Sequence, residues 1–434
     1  MKRMGTFRVM RAVLWIISCM FIFMAPLRTF ALGEAAVLSL LISPSPAANA
    51  MGGTYANTVG NSPMAAIMNP ASLGFFGGSN FFKTEYYPKK VKWLPPLNSD
   101  MTYDATATGF GINLESFLKI PVSVGVGFYR IRFDMGEQEM TGPDGPPAIG
   151  TFNSWEGIKG TVFSIAVDYY IRASVGLGFK SIVSHLAPIL PGVNDDPKPK
   201  AHDLGFILKI PVVDLLNRFA PVRNAGRFGT FHPFFDPGLY YSKTNVGGEV
   251  NFLGSDHSDP LPRNLSLGVS LSAGLNYKKE GVELPMFAFK WAREVDDILI
   301  DRFPNFSKKY ASGLHDIRFL KDVIEGQTNP SVITKQGHET GVLDFISFRE
   351  GRYVDLDGQL VYKTSGYGIN YTRPFRILAL AFDLDKYFIV RLLSCIRFEE
   401  QTSKYYSYAS WSPIKNTKYK SYSIGLDNSF LEVF

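Results

Sequence analysis

The sequence predicts an all-β protein, a transmembrane antiparallel β-barrel of a bacterial outer membrane. Three observations predict this fold class: the N-terminus has the pattern of an export signal, later segments alternate between apolar and small residues, and aromatic residues are abundant, with 35 Phe and 21 Tyr. Beyond the N-terminus, no apolar run approaches the ~18 residues that a membrane helix requires. A closed barrel is the other structure that satisfies every backbone polar group in lipid.

The first 31 residues predict a secretory signal peptide. Basic residues precede a mostly apolar run over residues 12–27, and small residues follow at Thr29 and Ala31. A membrane anchor is the alternative, but this run is shorter than the ~20 residues that span a bilayer. We expect cleavage after Ala31, and a later cut after Ala50 is the second option.

Loss of the signal peptide changes the charge of the chain. Residues 1–31 carry five basic residues and no acidic ones, so the formal net charge falls from +6 to +1. A nearly neutral mature chain argues against nucleic acid as a partner. Cys19 leaves with the signal and Cys395 remains alone, which excludes an internal disulfide.

Residues 263–277 show the clearest strand pattern. Apolar residues from Leu265 to Tyr277 alternate without exception with small or polar ones, and Val269 falls on the apolar face. At ~3.3 Å per residue and a tilt near 40°, the segment would rise about 30 Å, enough to cross an apolar band ~25 Å tall. Similar patterns occupy residues 79–87, 121–133, 161–171, 173–183, 359–371 and 418–426, separated by turn-rich stretches at 141–150, 191–200 and 254–262.

A soluble β-sandwich is the alternative interpretation for any single one of these strands. Its outer face would carry charged residues such as Lys and Glu, whereas the second face here carries mainly Gly, Ser and Asn, which suit a crowded lumen. The number of such strands and the export signal together favour the barrel.

The last residue, Phe434, indicates how the barrel would be assembled. A terminal aromatic residue preceded by alternating apolar positions resembles the C-terminal strand that barrel-assembly machinery reads, so this machinery is an expected partner. Glu432 and Asn428 depart from the pattern.

Two regions do not have the pattern of strands. Residues 293–330 are charged and predict a long loop, in which Leu314, Ile317, Leu320 and Ile324 have the spacing of a short helix. Residues 32–78 are mostly small and nearly uncharged, and four prolines forbid a long helix or a central strand. We therefore divide the chain into a signal peptide (1–31), a plug inside the lumen (32–78) and a barrel (79–434).

Residues 50–76, "AMGGTYANTVGNSPMAAIMNPASLGFF", resemble the N-terminal signature of the FadL-type outer-membrane transporters for hydrophobic compounds. The resemblance implies a barrel of about fourteen strands with an N-terminal hatch in its lumen. It assigns hatch or gating roles to Gly52, Gly53, Asn69, Pro70 and Ala71.

Three further segments, residues 236–252, 259–271 and 364–371, are similar to the PorV-like branch of this family. Relatives often carry acidic residues before Asn-Pro-Ala, whereas this chain has Asn61 and Ser62. The departure leaves an acidic contact of the hatch without a counterpart in this chain.

The sequence gives little sign of catalysis. Its six histidines lie far apart without metal-ligand spacing, so we predict no metal, no cofactor and no enzyme activity. A Ser/His lipase centred on Ser184 and His185 is the alternative, and no nucleophile motif supports it. The tyrosine- and lysine-rich residues 402–420 suit a membrane interface more simply than an acidic polymer.

The resemblance implies a monomeric channel for passive uptake of hydrophobic compounds such as long-chain fatty acids. Its partners would be the hydrophobic small molecule and the lipid of the outer membrane. The alternative, implied by the PorV-like branch, is a component of type IX secretion that binds secreted proteins and hands them on. The sequence assigns no ligand-contacting residue in either case.

Overall fold

The computed structural model describes residues 35–56, 62–142, 145–186, 196–219, 225–226, 229–252, 258–279, 282–302, 308–407 and 412–432. The predicted signal peptide (1–31) and Phe434 lie outside these residues. Among the residues described, no helix is long and apolar enough to cross a membrane.

Fourteen antiparallel strands form a closed barrel, which confirms the predicted fold class. The first strand pairs with both the second and the last, so that Phe82 faces Phe110 on one side and Leu426 on the other. The strands are β1 Asn80–Tyr86, β2 Thr102–Asn113, β3 Val122–Gly142, β4 Gly145–Asp168, β5 Arg172–His185, β6 Lys200–Lys209, β7 Gly229–Gly247, β8 Asn264–Lys279, β9 Val282–Ile298, β10 Ile333–Val342, β11 Ile346–Asp355, β12 Leu360–Asn370, β13 Ile396–Ser407 and β14 Lys418–Asp427.

We name the two ends of the barrel by the positions of its first and last strands. The near end is where β1 begins at Asn80 and β14 ends at Asp427, and the far end is the opposite one. Short helices lie in near-end connections and in the N-terminal segment: α1 Pro46–Ala50, α2 Ser72–Ser79, α3 Glu115–Leu118, α4 Val212–Phe219, α5 Arg373–Ala381 and α6 Phe388–Ser394.

Each strand divides its side chains between the two faces as the alternation predicts. On β4 and β5, Ser164 and Ser174 are buried toward the interior, while Phe163 and Leu177 are about half exposed on the outside. Val269 also lies on the outer face, since its neighbours Gly268 and Ser270 are buried. The outer surface therefore presents apolar side chains where a soluble sheet would present polar ones.

The structure corrects two of the expected boundaries. The turn-rich residues 141–150 mostly extend the β3–β4 hairpin, with Met140 opposite Gly150. The expected strand over 161–171 ends at Asp168, because Tyr169 and Tyr170 form the turn into β5. In the first case pairing with a neighbouring strand overrides local turn preference, and in the second the reversal into β5 overrides the strand preference of two tyrosines.

The loop predicted over 293–330 begins later than expected. Arg293–Ile298 is the last part of β9 and pairs with β8 and β10. The charges of this stretch suggested a loop, but Glu294 and Asp296 point inward and bind Lys335 there. Charged residues are therefore compatible with a strand in this wall because they are paired inside the barrel.

The described residues of the remaining excursion, 299–302 and 308–332, pack on the outer wall. Ile317 and Val323 cover Leu265, Leu267 and Val295 in one buried cluster. The predicted helix is present as a single wide turn, Phe319–Glu325. Val269 packs against this cluster too, so the excursion covers part of the wall that the alternation predicted to face lipid.

His315 ties the excursion to the far end of β9. Its Nδ1 lies 3.0 Å from Asp297 and its Nε2 lies 3.0 Å from Asp301, and Asp316 is 3.7 Å away. Burial lowers the pKa of His315, but hydrogen bonds and charge from these carboxylates outweigh it and raise the pKa above its ordinary value. The imidazolium form is therefore favoured when the excursion is docked.

The apolar outer wall predicts a depth-dependent cost for a charge. Leu177→Arg should destabilise the folded barrel by about 2–4 kcal/mol, because this side chain lies within the apolar band. Ser181→Arg, on the same face of β5 but opposite Lys159 and Lys200, should cost at most ~1 kcal/mol. Equilibrium unfolding in lipid would measure both, and equal costs would contradict the assigned band.

The His315 contacts predict a pH-dependent attachment of the excursion. A pKa raised by docking contributes stability that is complete below the ordinary value near 6.5 and is lost as pH rises through the docked value. His315→Gln should therefore increase proteolysis of residues 308–332 most at low pH, with the difference from wild type shrinking as pH rises. His338→Gln on the outer wall is the control, and a pH-independent difference would refute the role of His315.

Candidate functional site: a segment held inside the barrel

Residues 35–56 and 62–79, which we name the hatch, lie inside the barrel. The hatch bonds to inward-facing side chains on opposite sides of the wall, Ser174 on β5 and Thr364 on β12, and most of its described residues are buried. The local sequence explains its helical turns. Ser45 accepts a hydrogen bond from the Ala48 N–H and so caps α1, and Pro46 and Pro63 each occupy the first position of a helical turn.

Asn69, Pro70 and Ala71 sit in a first socket in the wall. The Asn69 side-chain oxygen accepts from the Ala71 N–H at 2.9 Å, and its amide nitrogen donates to the Tyr241 carbonyl at 3.0 Å. The Ala71 carbonyl accepts from Ser174 Oγ at 2.6 Å and from Ser164 Oγ at 3.3 Å.

Two wall glycines make the first socket fit this tripeptide. A Cβ at Gly176 would overlap the Pro70 carbonyl group, and a Cβ at Gly205 would overlap the Asn69 side chain. The hatch backbone therefore approaches the strands more closely than any larger residue permits.

Gly52 and Gly53 sit in a second socket on the opposite wall. Both have positive φ, 75° and 84°, which favours glycine. The Gly52 N–H donates to Thr364 Oγ1 at 2.9 Å, and that hydroxyl donates to the Ala50 carbonyl at 2.8 Å. Wall residues Gly337 and Gly351 leave room for the hatch backbone at Met51 and Gly52.

The structure thus distributes the five predicted hatch residues between two opposite sockets. The sequence did not identify their wall partners, namely Ser164, Ser174, Gly176, Gly205, Gly337, Gly351 and Thr364. Their only signal was their small size on the inward face of a strand, which does not say which hatch residue each one meets.

Beside the first socket, an apolar seam lies between the hatch and strands β3 to β6. Leu73 packs against the wall at Gly125 and Gly127 of β3 and at Gly109 of the neighbouring strand β2. The seam belongs to one continuous buried cluster, whose members on the two sides include Met64, Ile67, Leu73, Phe76, Ile158, Val162, Ile182 and Ile207. These apolar contacts exclude water. Beside them, Ser123 Oγ donates to the Gly74 carbonyl at 2.7 Å and Ser174 Oγ donates to the Ala71 carbonyl, so a few hydrogen bonds also join the hatch to these strands.

The far half of the lumen is occupied by buried tyrosines. Successive ring centroids lie 4.6 Å apart for Tyr353 and Tyr362, 5.0 Å for Tyr362 and Tyr405, and 5.5 Å for Tyr405 and Tyr419. Tyr87 continues the row and donates its hydroxyl hydrogen bond to the Pro44 carbonyl of the hatch. This tyrosine cluster joins the hatch to the wall at the far end.

The near half of the lumen holds a polar cavity of about 590 Å³. Oppositely charged pairs line it: Lys83 and Glu399 at 2.8 Å, Lys290 and Glu339 at 2.7 Å, with Arg349 also bound to Glu339. Because each named charge has a partner, the cavity is polar without a large net charge.

The lipase alternative does not fit the geometry. Ser184 is buried toward the interior, whereas His185 is the next residue of β5, stacks on Trp155 and binds Asp196 at 2.7 Å. Successive strand residues point to opposite faces, so these two side chains do not form a nucleophile and base.

One grouping of possible metal ligands occurs among the described residues, formed by Asp297, His315 and Asp316. Both imidazole nitrogens of His315 already face carboxylates at 3.0 Å, and Asp297 accepts from the Asp316 N–H at 2.8 Å. We interpret the grouping as an ion-pair cluster that docks the excursion.

The second socket predicts a steric test on a single strand. Gly337→Ala should displace the hatch, because its methyl group would overlap the Met51 backbone, whereas Gly341→Ala on the same face has no neighbour closer than 3.8 Å. Hydrogen exchange of residues 46–56 would measure the displacement. Equal protection in the two variants would contradict the socket.

No family model matches the chain, and no curated protein matches it. Similar solved structures include two of TodX and one of a FadL homologue. The Pseudomonas putida toluene transporter TodX is 12% identical with a TM-score of 0.37, covering 88% of this chain and 96% of its own. The TodX deltaS2S3 mutant, a monoaromatic hydrocarbon channel, is 12% identical with a TM-score of 0.40, covering 88% and 97%. A Pseudomonas aeruginosa FadL homologue is 8% identical with a TM-score of 0.37, covering 89% and 98%.

Proposed function

We propose that this chain is an outer-membrane channel for the passive uptake of hydrophobic compounds, with long-chain fatty acids as the leading class. The observation that carries the proposal is the apolar seam between the hatch and strands β3 to β6. A hydrophobic molecule can separate the apolar side chains of this seam without loss of a hydrogen bond. The polar cost of opening is confined to the few bonds that Ser123, Ser164 and Ser174 donate to the hatch.

The outer wall supports placement in a membrane. Phe163, Ile165, Leu177 and Phe179 are each about half exposed on neighbouring strands, and a closed sheet leaves no unpaired backbone toward lipid. The near end would face the periplasm. The first strand begins there, the last strand ends there, and bacterial barrels keep their short turns on that side.

In this proposal the hatch moves to open the seam. Gly52, Gly53, Asn69, Pro70 and Ala71 are the gating residues, and the hydrogen bonds of their sockets hold the closed state. Each such bond contributes ~1 kcal/mol, so a few of them set a population that a bound ligand can shift.

A role in type IX secretion is the second candidate, with secreted proteins as partners. The observation that favours it is the tyrosine cluster, which packs the far half of the lumen against Tyr55 and Pro44 of the hatch. A barrel closed at that end would offer its far-end surface for protein binding instead of a passage.

Loosening the first socket should increase uptake. In Ser164→Ala/Ser174→Ala the Ala71 carbonyl loses two donors, at a cost of about 1–3 kcal/mol to the closed state. Cells that lack their own fatty-acid channel should then take up labelled oleate faster than cells with the wild-type chain. Ser181→Ala, an exposed outer residue of β5, is the matched control.

The protein purified in mild detergent distinguishes the two candidates. Near-stoichiometric recovery of a hydrophobic molecule by mass spectrometry would support the channel. Absence of oleate uptake by every variant, together with recovery of secretion components and no bound lipid-like molecule, would replace the channel by the secretion role.

A further inference from the structure

The connection between β12 and β13 is a helical hairpin at the near end of the barrel. It runs from Tyr371 to Cys395 and contains α5, a short turn Leu384–Lys386, and α6. We name it the near-end hairpin. It is far longer than a turn between neighbouring strands requires. Its length, its composition and its exposed residues therefore suggest a role beyond connecting the two strands.

Helix α5 turns its charged face toward the protein and its apolar face outward, which is the reverse of an amphipathic helix in a soluble protein. Its charged residues turn toward the barrel, where Arg373 pairs with Asp344 at 3.4 Å and Arg376 with Asp427 at 2.8 Å. Its exposed apolar positions are Phe375 and Leu378, and Phe382, directly after its last residue, is 70% exposed. The spacing i, i+3, i+7 places these three side chains on one helical face.

Helix α6 and the residue before it add to the same apolar surface. Tyr387, Phe388, Ile389 and Leu393 are all exposed, and Ile389 is 68% exposed. Large apolar patches that face outward mark a surface that is covered in the working protein. Lys386 and Arg391 are exposed beside it, as is Asp383, so the apolar surface has a charged border.

The outer wall above the near-end hairpin has an unusually short apolar band. Glu350 faces outward on β11 with its side chain 73% exposed, and His338 lies opposite it on β10. Glu350 stands four residues above the near end of its strand, a height of about 10 Å, whereas a lipid-facing band is ~25 Å tall. In this sector the strands alone cannot match a bilayer.

The rest of the near end indicates what covers the hairpin. Other near-end turns also expose large apolar side chains, namely Phe117, Leu118, Tyr169, Tyr170, Ile171 and Leu216. On the wall above the hairpin, Tyr371, Phe398 and Tyr422 form a stacked outer row, with centroids 5.4 and 5.7 Å apart. Tyr371, at which the hairpin begins, thus belongs to the aromatic outer row of the wall.

We propose that the near-end hairpin is a membrane-binding element whose apolar face enters the phospholipid leaflet at the near end of the barrel. Phe375, Leu378, Phe382, Phe388 and Ile389 lie among acyl chains, and Lys386 and Arg391 lie at the level of anionic headgroups. The hairpin thereby supplies the apolar height that β10 and β11 lack. This inference rests on the membrane placement in the proposed function.

Quenching by brominated phospholipids tests the insertion. The full-length Cys395→Ser protein, with an environment-sensitive fluorophore on Phe382→Cys or Ile389→Cys, is reconstituted into phosphatidylethanolamine and phosphatidylglycerol vesicles brominated on the acyl chain. Labels at Leu177→Cys on the wall and Asp357→Cys in a far-end turn are the lipid and water references. We expect quenching at 382 and 389 within twofold of that at 177, and little at 357.

The references separate the failure of this inference from that of the proposed function. If position 177 is not quenched, the barrel is not in the bilayer and the membrane placement itself fails. If 177 is quenched but 382 and 389 resemble 357, the hairpin does not enter lipid. Protection of 382 from a water-soluble thiol reagent in cells, without quenching in vesicles, would assign the surface to a protein partner and overturn the inference.

Discussion

Because β1 pairs with both β2 and β14, every barrel strand has a neighbour on each side, and the sheet has no edge. An unpaired backbone group in lipid costs several kcal/mol, so closure is the condition under which an apolar outer wall is stable. Closure also creates an interior that the chain has to fill. The hatch fills it. The inward-facing residues of the strands are small where the hatch backbone lies close to the wall.

The contents of the lumen differ between its two halves, and the hatch is the boundary. Tyrosines stack in the far half and contact Pro44 and Tyr55, while paired charges such as Lys83 with Glu399 line the near cavity. Neither half resembles the apolar seam beside β3 to β6. In the proposed channel, a hydrophobic molecule would pass at the side of the hatch, next to the wall, where Met64, Ile67 and Leu73 face Ile158, Val162 and Ile182.

The connections at both ends modify the outer wall. The far-end excursion covers Leu265 and Val295, which removes part of the wall from lipid, and His315 holds it there. The near-end hairpin extends the apolar surface below strands whose band ends early at Glu350. The apolar perimeter is thus set by strands and connections together, because a barrel with polar residues at mid-height on one side needs apolar area elsewhere on that side.

The sequence by itself determined the closed β-barrel class, the facing of strands such as 263–277 and the plug character of the segment before the first strand. These follow from period-two alternation and from composition, which are local properties. It placed Arg293–Ile298 in a loop because charge in a strand is stable only with partners such as Lys335, and those partners are distant in the chain. Only the tertiary structure decided which wall glycines receive Gly52 and Pro70. A socket depends on how closely two backbones approach each other, and no residue pattern within one segment encodes that distance.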